Sequence, residues 1–475
     1  MRRGTTRMLP NNIQTLLPLL LLHLFLCSHT IQAQPSYSNV TLKANGGDLE
    51  VVVYLPKGIK PKEPTYYLST RFDHGSMIGS IKRTTTNKDG TKKTHVLYDI
   101  NQWRVPHDPY WAESGVGLAS EFGVGDDGGF CTFLCGWDQV NEVTNGVLGY
   151  QEAKHGESFL KIGVGELIKG SCNICDSTDD YRFNSPYVYA KTPIWTLQEN
   201  KEGNAITLTQ EASLNQHGYR LQKDISVVDD QLFVKSTLTN LGRDPFATAW
   251  YSHHFFTCDG SPVGKGYGVD LDVAGTSGQY EEPAAWFWST PLQQYASVTP
   301  QKDKVTVEMQ RGVERDVRIK AEFVKDDTSR GTFTVRGCGN SIKESIPEVG
   351  NEGSPVSMYA FNLYIETGTF SPEPQIYMHL YPGEARSWTQ HLEFSDLEKE
   401  PTSPPLPLSE LTQNARNTAA SSFSSHPHLV FLASILISAS VTMAAHAMWS
   451  KRRSTTYSGT ISLSSKGYSS IPEVS

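Results

Sequence analysis

Residues 225–240 read ISVVDDQLFVKSTLTN, and no other stretch constrains the fold of this 475-residue chain more tightly. The run breaks at Asp229-Asp230, then places Leu232, Val234, Ser236 and Leu238 on one side and Phe233, Lys235, Thr237 and Thr239 on the other. Successive side chains of a strand point to opposite faces, so a period of two marks a half-buried strand. The pattern predicts a hairpin turning at the two aspartates. Similar runs recur at 48–55, 305–313, 317–324 and 358–365, separated by Gly, Pro, Asn and Asp clusters, and Asp89-Gly90 between Thr-rich arms marks a second hairpin. No long helical periodicity interrupts them. So many strands predict an all-β fold built as a large antiparallel sandwich.

The two ends of the chain carry apolar runs of different character. Arg2, Arg3 and Arg7 precede an apolar run from Leu16 to Cys27, with Ala33 as a small residue for cleavage, which is the layout of a secretory signal peptide over 1–33. Residues 429–449 match the ~20 apolar residues of a bilayer crossing, and Lys451-Arg452-Arg453 follows as a stop-transfer signal. Ser434, Ser438, Ser440, Thr442 and His446 keep a buried amphipathic helix as the alternative for this segment. The expected organisation is an ectodomain over 34–397, a Pro/Ser/Thr-rich linker over 398–428, a single C-terminal transmembrane helix over 429–449 and a cytoplasmic tail over 450–475. That makes a single-pass type I membrane protein with its ectodomain extracellular or lumenal. In the tail, Tyr468-Ser469-Ser470-Ile471 resembles a sorting signal read by an endocytic adaptor.

A formal net charge of -8 gives no basic footprint for nucleic acid. Cys27 leaves with the signal segment, and Cys131, Cys135, Cys172, Cys175, Cys258 and Cys338 form an even set that suits disulfides of open connectivity in an oxidising compartment. The Cys131/Cys135 and Cys172/Cys175 pairs also admit a four-thiolate zinc site, which a lumen disfavours. Asn39-Val40-Thr41 is a glycosylation sequon just past the signal. Gly123 to Gly128 matches G-x-G-x-x-G, but no βαβ unit surrounds it, so it reads as a loop.

Two short stretches carry the chemistry. Tyr251-Ser252-His253-His254-Phe255-Phe256 ends a strand-like run; Ile365-Glu366-Thr367-Gly368 is followed by Ser371-Pro372-Glu373-Pro374 and by Leu380-Tyr381-Pro382-Gly383-Glu384. A histidine and a carboxylate delivered from two strands can move a proton off one sugar oxygen and onto another. Opening a cyclic hemiacetal needs a base at the anomeric hydroxyl and an acid at the ring oxygen. With intrinsic pKa values of ~4.3 and ~6.5, the carboxylate is expected as base and the imidazole as acid, with no metal or organic cofactor. Arg71, His74, His254, Lys161 and Arg182 are candidate donors to sugar oxygens, and Trp286 and Trp288 are candidate stacking faces for a pyranose. Surface charge or core packing is the competing explanation for each.

Thr70-Arg71-Phe72-Asp73-His74-Gly75-Ser76-Met77-Ile78-Gly79, the run from Gly117 to Gly123, the run from Gly156 to Gly165, the Tyr-x-His-x-Phe segment at Tyr251 and the Pro-Gly-Glu strand resemble segments of aldose 1-epimerase-like proteins. The resemblance covers about 66–394 and implies membership of the galactose mutarotase-like superfamily, with a β-supersandwich and an open sugar-binding cleft. It also implies a histidine acid on the strand after a Thr-Asn turn, matching His253 after Thr239-Asn240, and a glutamate base late in the domain. Glu366 is the favoured match to that description, with Glu373 of Ser-Pro-Glu-Pro as the alternative. The chain departs from the family in having His253-His254 where many relatives have His-Asn.

Three functions follow as expectations: an aldose 1-epimerase-like isomerase acting on a free sugar, a non-catalytic carbohydrate receptor using the same cleft, and an adhesion ectodomain in which the sandwich is only a scaffold.

Overall fold

The computed structural model describes residues 37–397 apart from 45–47, 88, 100–116, 124–145, 173–174, 176–180, 182–185, 273–279, 282–289, 302–303, 315–316, 325–330 and 350–355. They belong to the first of two compact units, Met1–Glu398; the second, Lys399–Ser475, falls outside the described residues. The expected signal segment, linker, membrane span and tail with Tyr468 therefore lie outside the described residues, as do Cys131, Cys135, Arg182, Trp286 and Trp288. Among the described residues no helix is long and apolar enough to cross a membrane.

Strands β1 (Asn39–Lys43), β2 (Leu49–Tyr54), β3 (Ile78–Thr86), β4 (Lys92–Asp99) and β5 (Leu118–Phe122) come first. Three short strands follow, β6 (Val147–Leu148), β7 (Ser158–Lys161) and β8 (Gly165–Ile168). Next are β9 (Trp195–Glu199), β10 (Ala205–Leu214), β11 (His217–Val228), β12 (Gln231–Asn240) and β13 (Phe246–His254). Then come β14 (Gly268–Leu271), β15 (Tyr280–Glu281), β16 (Ala296–Pro300), β17 (Val305–Met309) and β18 (Ile319–Val324). The chain closes with β19 (Thr332–Gly337), β20 (Asn340–Ser345), β21 (Val356–Glu366), β22 (Thr369–Leu380) and β23 (Ala385–Asp396).

The strands form two ten-stranded antiparallel sheets and a small one. The first runs β1-β2-β3-β5-β13-β22-β21-β18-β15 with β4 on β3; the second runs β16-β17-β14-β19-β20-β23-β12-β11-β10-β9; the third is β6-β7-β8. The hairpin expected over 225–240 is β11 and β12, turning at Asp229, whose φ of 50° is a left-handed conformation that Asp tolerates. Leu232, Val234, Ser236 and Leu238 are buried while Lys235 is exposed, as the alternation requires. The Asp89-Gly90 turn joins β3 to β4.

One continuous core fills the space between the two large sheets. It takes Val51, Ile81, Phe122, Trp250 and Ile376 from the first sheet and Leu208, Leu232, Val335, Trp388 and Leu392 from the second. Each such side chain contributes about 1.5–3 kcal/mol by leaving water. Strand β13 is buried at every position, so its second face is covered too. That second face carries the site.

Disulfides join Cys172 to Cys175 and Cys258 to Cys338, with Cα separations of 5.1 and 6.0 Å. Cys172 and Cys175 are bonded to each other, so they are not the free thiolates a zinc site requires. The second bridge ties the segment after β13 to the turn between β19 and β20. Asn39 begins edge strand β1, and its amide donates to Tyr37 O at 2.8 Å.

Candidate functional site

Strand β22 is central in the first sheet, a position in which proline normally has no place because it cannot donate to the ladder. β13 pairs with β22 from Phe246↔Leu380 to Tyr251↔Gln375, after which Phe256 and Phe370 meet as an isolated bridge. Phe370 N–H donates to Phe256 O at 3.1 Å, so the even-numbered residues of β22 direct their N–H groups toward β13. The next two on that side are Pro372 and Pro374, which have none. The ladder therefore opens between them. In the gap, His254 N–H donates to the Ser371 hydroxyl at 3.0 Å.

Continuing the register brings His253 opposite Glu373 across this gap. His253 Nε2 lies 3.3 Å from Glu373 Oε1. Ser371 Oγ bridges the pair, 3.3 Å from His253 Nδ1 and donating to Glu373 Oε1 at 3.2 Å. The exposures are only 4% and 7%. Phe255 stacks on the His253 ring at 4.0 Å, and Phe72 and Tyr364 stand edge-on to it at 5.6 and 5.8 Å.

This setting shifts both groups away from their intrinsic values. Burial pushes Glu373 up from 4.5 to about 7, against the pull of Lys320 and Arg71. Burial also drives His253 well below 6.5, and the same two cations add to the depression. Near pH 7 the Glu373 carboxyl is therefore partly protonated while the imidazole is neutral. Both shifts run against the expectation of an ionised glutamate beside a protonated histidine, because desolvation opposes charge in a site this dry.

On one flank of the pair, β5 and β13 carry a buried charge cluster. Glu121 accepts from Arg71 Nε at 3.0 Å, Lys161 Nζ at 2.8 Å and Tyr251 Oη at 2.8 Å, while Arg71 also reaches Tyr251 Oη at 2.9 Å. Lys161 and Glu121 are fully buried; burial pulls the ammonium below its ordinary range and Glu121 opposes that. A carboxylate inserted between two cations fixes Arg71 against the sheet face that bears His253. On the other flank, Glu366 pairs with Arg318 Nε at 2.9 Å and accepts from the Tyr364 hydroxyl, while Lys320 Nζ lies 5.0 Å above the Tyr364 ring.

Glu366, the favoured carboxylate, is held one strand further on by Arg318, and it is the alternative, Glu373, that meets His253. Arg71 joins the site. His254 points the other way, into the sandwich, where its Nε2 lies 2.9 Å from Glu344 and its Nδ1 2.8 Å from the Tyr98 hydroxyl, all with the imidazole fully buried. It cannot touch a ligand that touches His253, because adjacent residues of a strand face opposite sides. His74 is buried against Ser69 O at 2.9 Å and the Tyr189 hydroxyl at 3.2 Å. Glu121, Tyr251, Ser371, Lys320 and Tyr364 were not anticipated. The proline alternation of Ser371-Pro372-Glu373-Pro374 was the readable signal for Ser371 and Glu373, since it marks where a central ladder must open.

Solved structures similar to this chain include a protein of Synechocystis sp. PCC 6803, at 10% identity over 78% of this chain and 100% of that one, with a TM-score of 0.41. The GalM/aldose epimerase homologue of C. elegans matches at 11% identity over 76% and 100%, with a TM-score of 0.40. A galactose mutarotase-like protein of Clostridium acetobutylicum matches at 10% identity over 74% and 93%, with a TM-score of 0.39. No protein-family model and no curated protein matches the chain. Likenesses of this degree carry no argument about the site, whose chemistry rests on its side chains.

Proposed function

We propose that the chain binds a free sugar and interconverts its anomers in the manner of an aldose 1-epimerase, with His253 and Glu373 as the proton-exchanging pair. The observation that carries this reading is the 3.3 Å contact between the two groups in an opened ladder. Neutral His253 takes the proton from the anomeric hydroxyl as the C1–O5 bond breaks, and the Glu373 carboxyl protonates the departing ring oxygen. The open-chain aldehyde turns about C1–C2. Closure on the other face then returns both protons to their starting groups, with no net change in the enzyme. Arg71, anchored by Glu121, supplies a fixed positive charge beside the pair. The motif resemblance points to the same chemistry.

Proton-exchange NMR between the α and β anomers of common aldoses, with the full-length chain as catalyst, tests the reading. Acceleration lost in His253→Asn, with sugar binding kept, supports it. Sugar binding without acceleration by the unaltered chain leaves a carbohydrate receptor, and neither leaves a scaffold. We further infer an extracellular or lumenal ectodomain on a single membrane span; the two disulfides support an oxidising compartment.

A further inference from the structure

A fully buried amide stands next to Glu373 with no hydrogen-bond partner on either end. Gln375 Nε2 and Oε1 are both unsatisfied at 0% exposure, and among the described residues no other side chain has two such atoms. Gln375 lies two residues after Glu373 on the same face of β22, and its register partner on β13 is Tyr251. Two further unsatisfied oxygens share that face: Asn362 Oδ1, whose residue pairs with Glu373 from β21, and Thr369 Oγ1. Beside Gln375, β21 departs from regular pairing between Met358 and Ala360, so the ladder is loosened on that side as well as along the prolines.

An unpaired buried polar group is destabilising, and an apolar replacement of similar shape removes the penalty. A fold that keeps such an amide within two residues of a proton-exchanging carboxyl retains it against its own stability, which is the usual trade at a binding site. We infer that Gln375 is a sugar-anchoring, specificity-determining residue, with its Nε2 donating to one hydroxyl and its Oε1 accepting from the neighbouring hydroxyl of a pyranose. Asn362 Oδ1 accepts from a third. The amide carries one donor end and one acceptor end, which is the complement of two adjacent hydroxyls and not of a carboxylate or a cation. This rests on the site reading above and specifies its ligand as a sugar with an intact vicinal diol.

The test sets ligand affinity against stability in the full-length chain. Titration with D-galactose, D-glucose and D-mannose, and with their 2-deoxy or 3-deoxy forms, is compared between the unaltered chain and Gln375→Leu, with thermal midpoints measured without sugar. The expected result is an affinity for the best sugar lowered ~10-fold or more in Gln375→Leu, together with a midpoint equal to or above that of the unaltered chain. A deoxy sugar should lose affinity for the unaltered chain and lose little more in the variant. Gln375→Met, which keeps the length and removes both polar ends, should lower affinity to the same extent and serves if the leucine variant does not fold. Equal affinity in the unaltered chain and Gln375→Leu overturns the assignment while leaving the site reading intact, and a lowered midpoint with unchanged affinity does the same. Absence of binding for every sugar in the unaltered chain sinks both.

Discussion

His253 and His254 are adjacent in the chain and belong to opposite faces of β13: one lies 3.3 Å from Glu373 at the opened ladder, the other 2.9 Å from Glu344 inside the sandwich. The backbone joins the two settings, since His254 N–H donates to Ser371 Oγ, which in turn donates to Glu373. The buried His254 thus holds in place the strand that presents its neighbour.

The two late glutamates should separate cleanly. Glu373→Gln should slow anomer exchange on the order of 10²-fold or more, because it removes a proton-transfer group. Glu366→Gln should cost less than about 10-fold, since Glu366 is bonded to Arg318 and Tyr364 and not to His253. Exchange rates from NMR lineshapes on both variants check this, and a larger loss in Glu366→Gln would reverse the assignment.

Exchange should follow a bell-shaped pH profile. Its alkaline limb falls near pH 7, where Glu373 gives up its proton, and its acid limb lies well below 6.5, where His253 gains one. Stability carries the same signs. Because Glu373 is raised in the folded chain, its contribution is complete below 4.5 and is lost as pH rises through about 7. His253 is depressed, so its contribution is present above 6.5 and is lost as pH falls through its lowered value. Glu373→Gln should therefore gain stability over the unaltered chain between pH 5 and pH 8, by up to about 3 kcal/mol in urea melts.

Pro374→Ala restores an N–H on the side of β22 that faces β13. The ladder should then extend past Tyr251↔Gln375, closing the gap in which His253 and Glu373 meet. The outcome to measure is an exchange rate lowered ~10-fold or more with global stability changed by less than about 1 kcal/mol, the added hydrogen bond and the loosened unfolded chain offsetting each other. An unchanged rate would show that the prolines do not hold the ladder open.

Lys161→Met should be the most destabilising single change in the site. It leaves Glu121 fully buried with Arg71 as its remaining cation, and removing one partner of a buried ion pair costs about 3–5 kcal/mol. Denaturant melts of the variant give the number, and a loss under 1 kcal/mol would show that Arg71 alone satisfies the carboxylate.

The alternation in residues 225–240, the Asp89-Gly90 turn and the runs that became β2, β17, β18 and β21 were legible as strands because a period of two depends only on neighbours in the chain. The motif at Tyr251 located His253 for the same local reason. Which glutamate meets it depended on register across β13, β22 and β21, where a shift of two residues exchanges Glu373 for another side chain while leaving every local pattern intact. His254 and His74 were no more distinguishable: their burial is decided by which face of a strand or loop another element covers. Glu121 lies 50 residues from Arg71 and 40 from Lys161, and the three meet only in the folded chain. Protonation was least legible of all, because the opposite shifts of Glu373 and His253 are set by desolvation and by Arg71 and Lys320. Those are properties of the assembled sheet, which the amino-acid order specifies only through the fold.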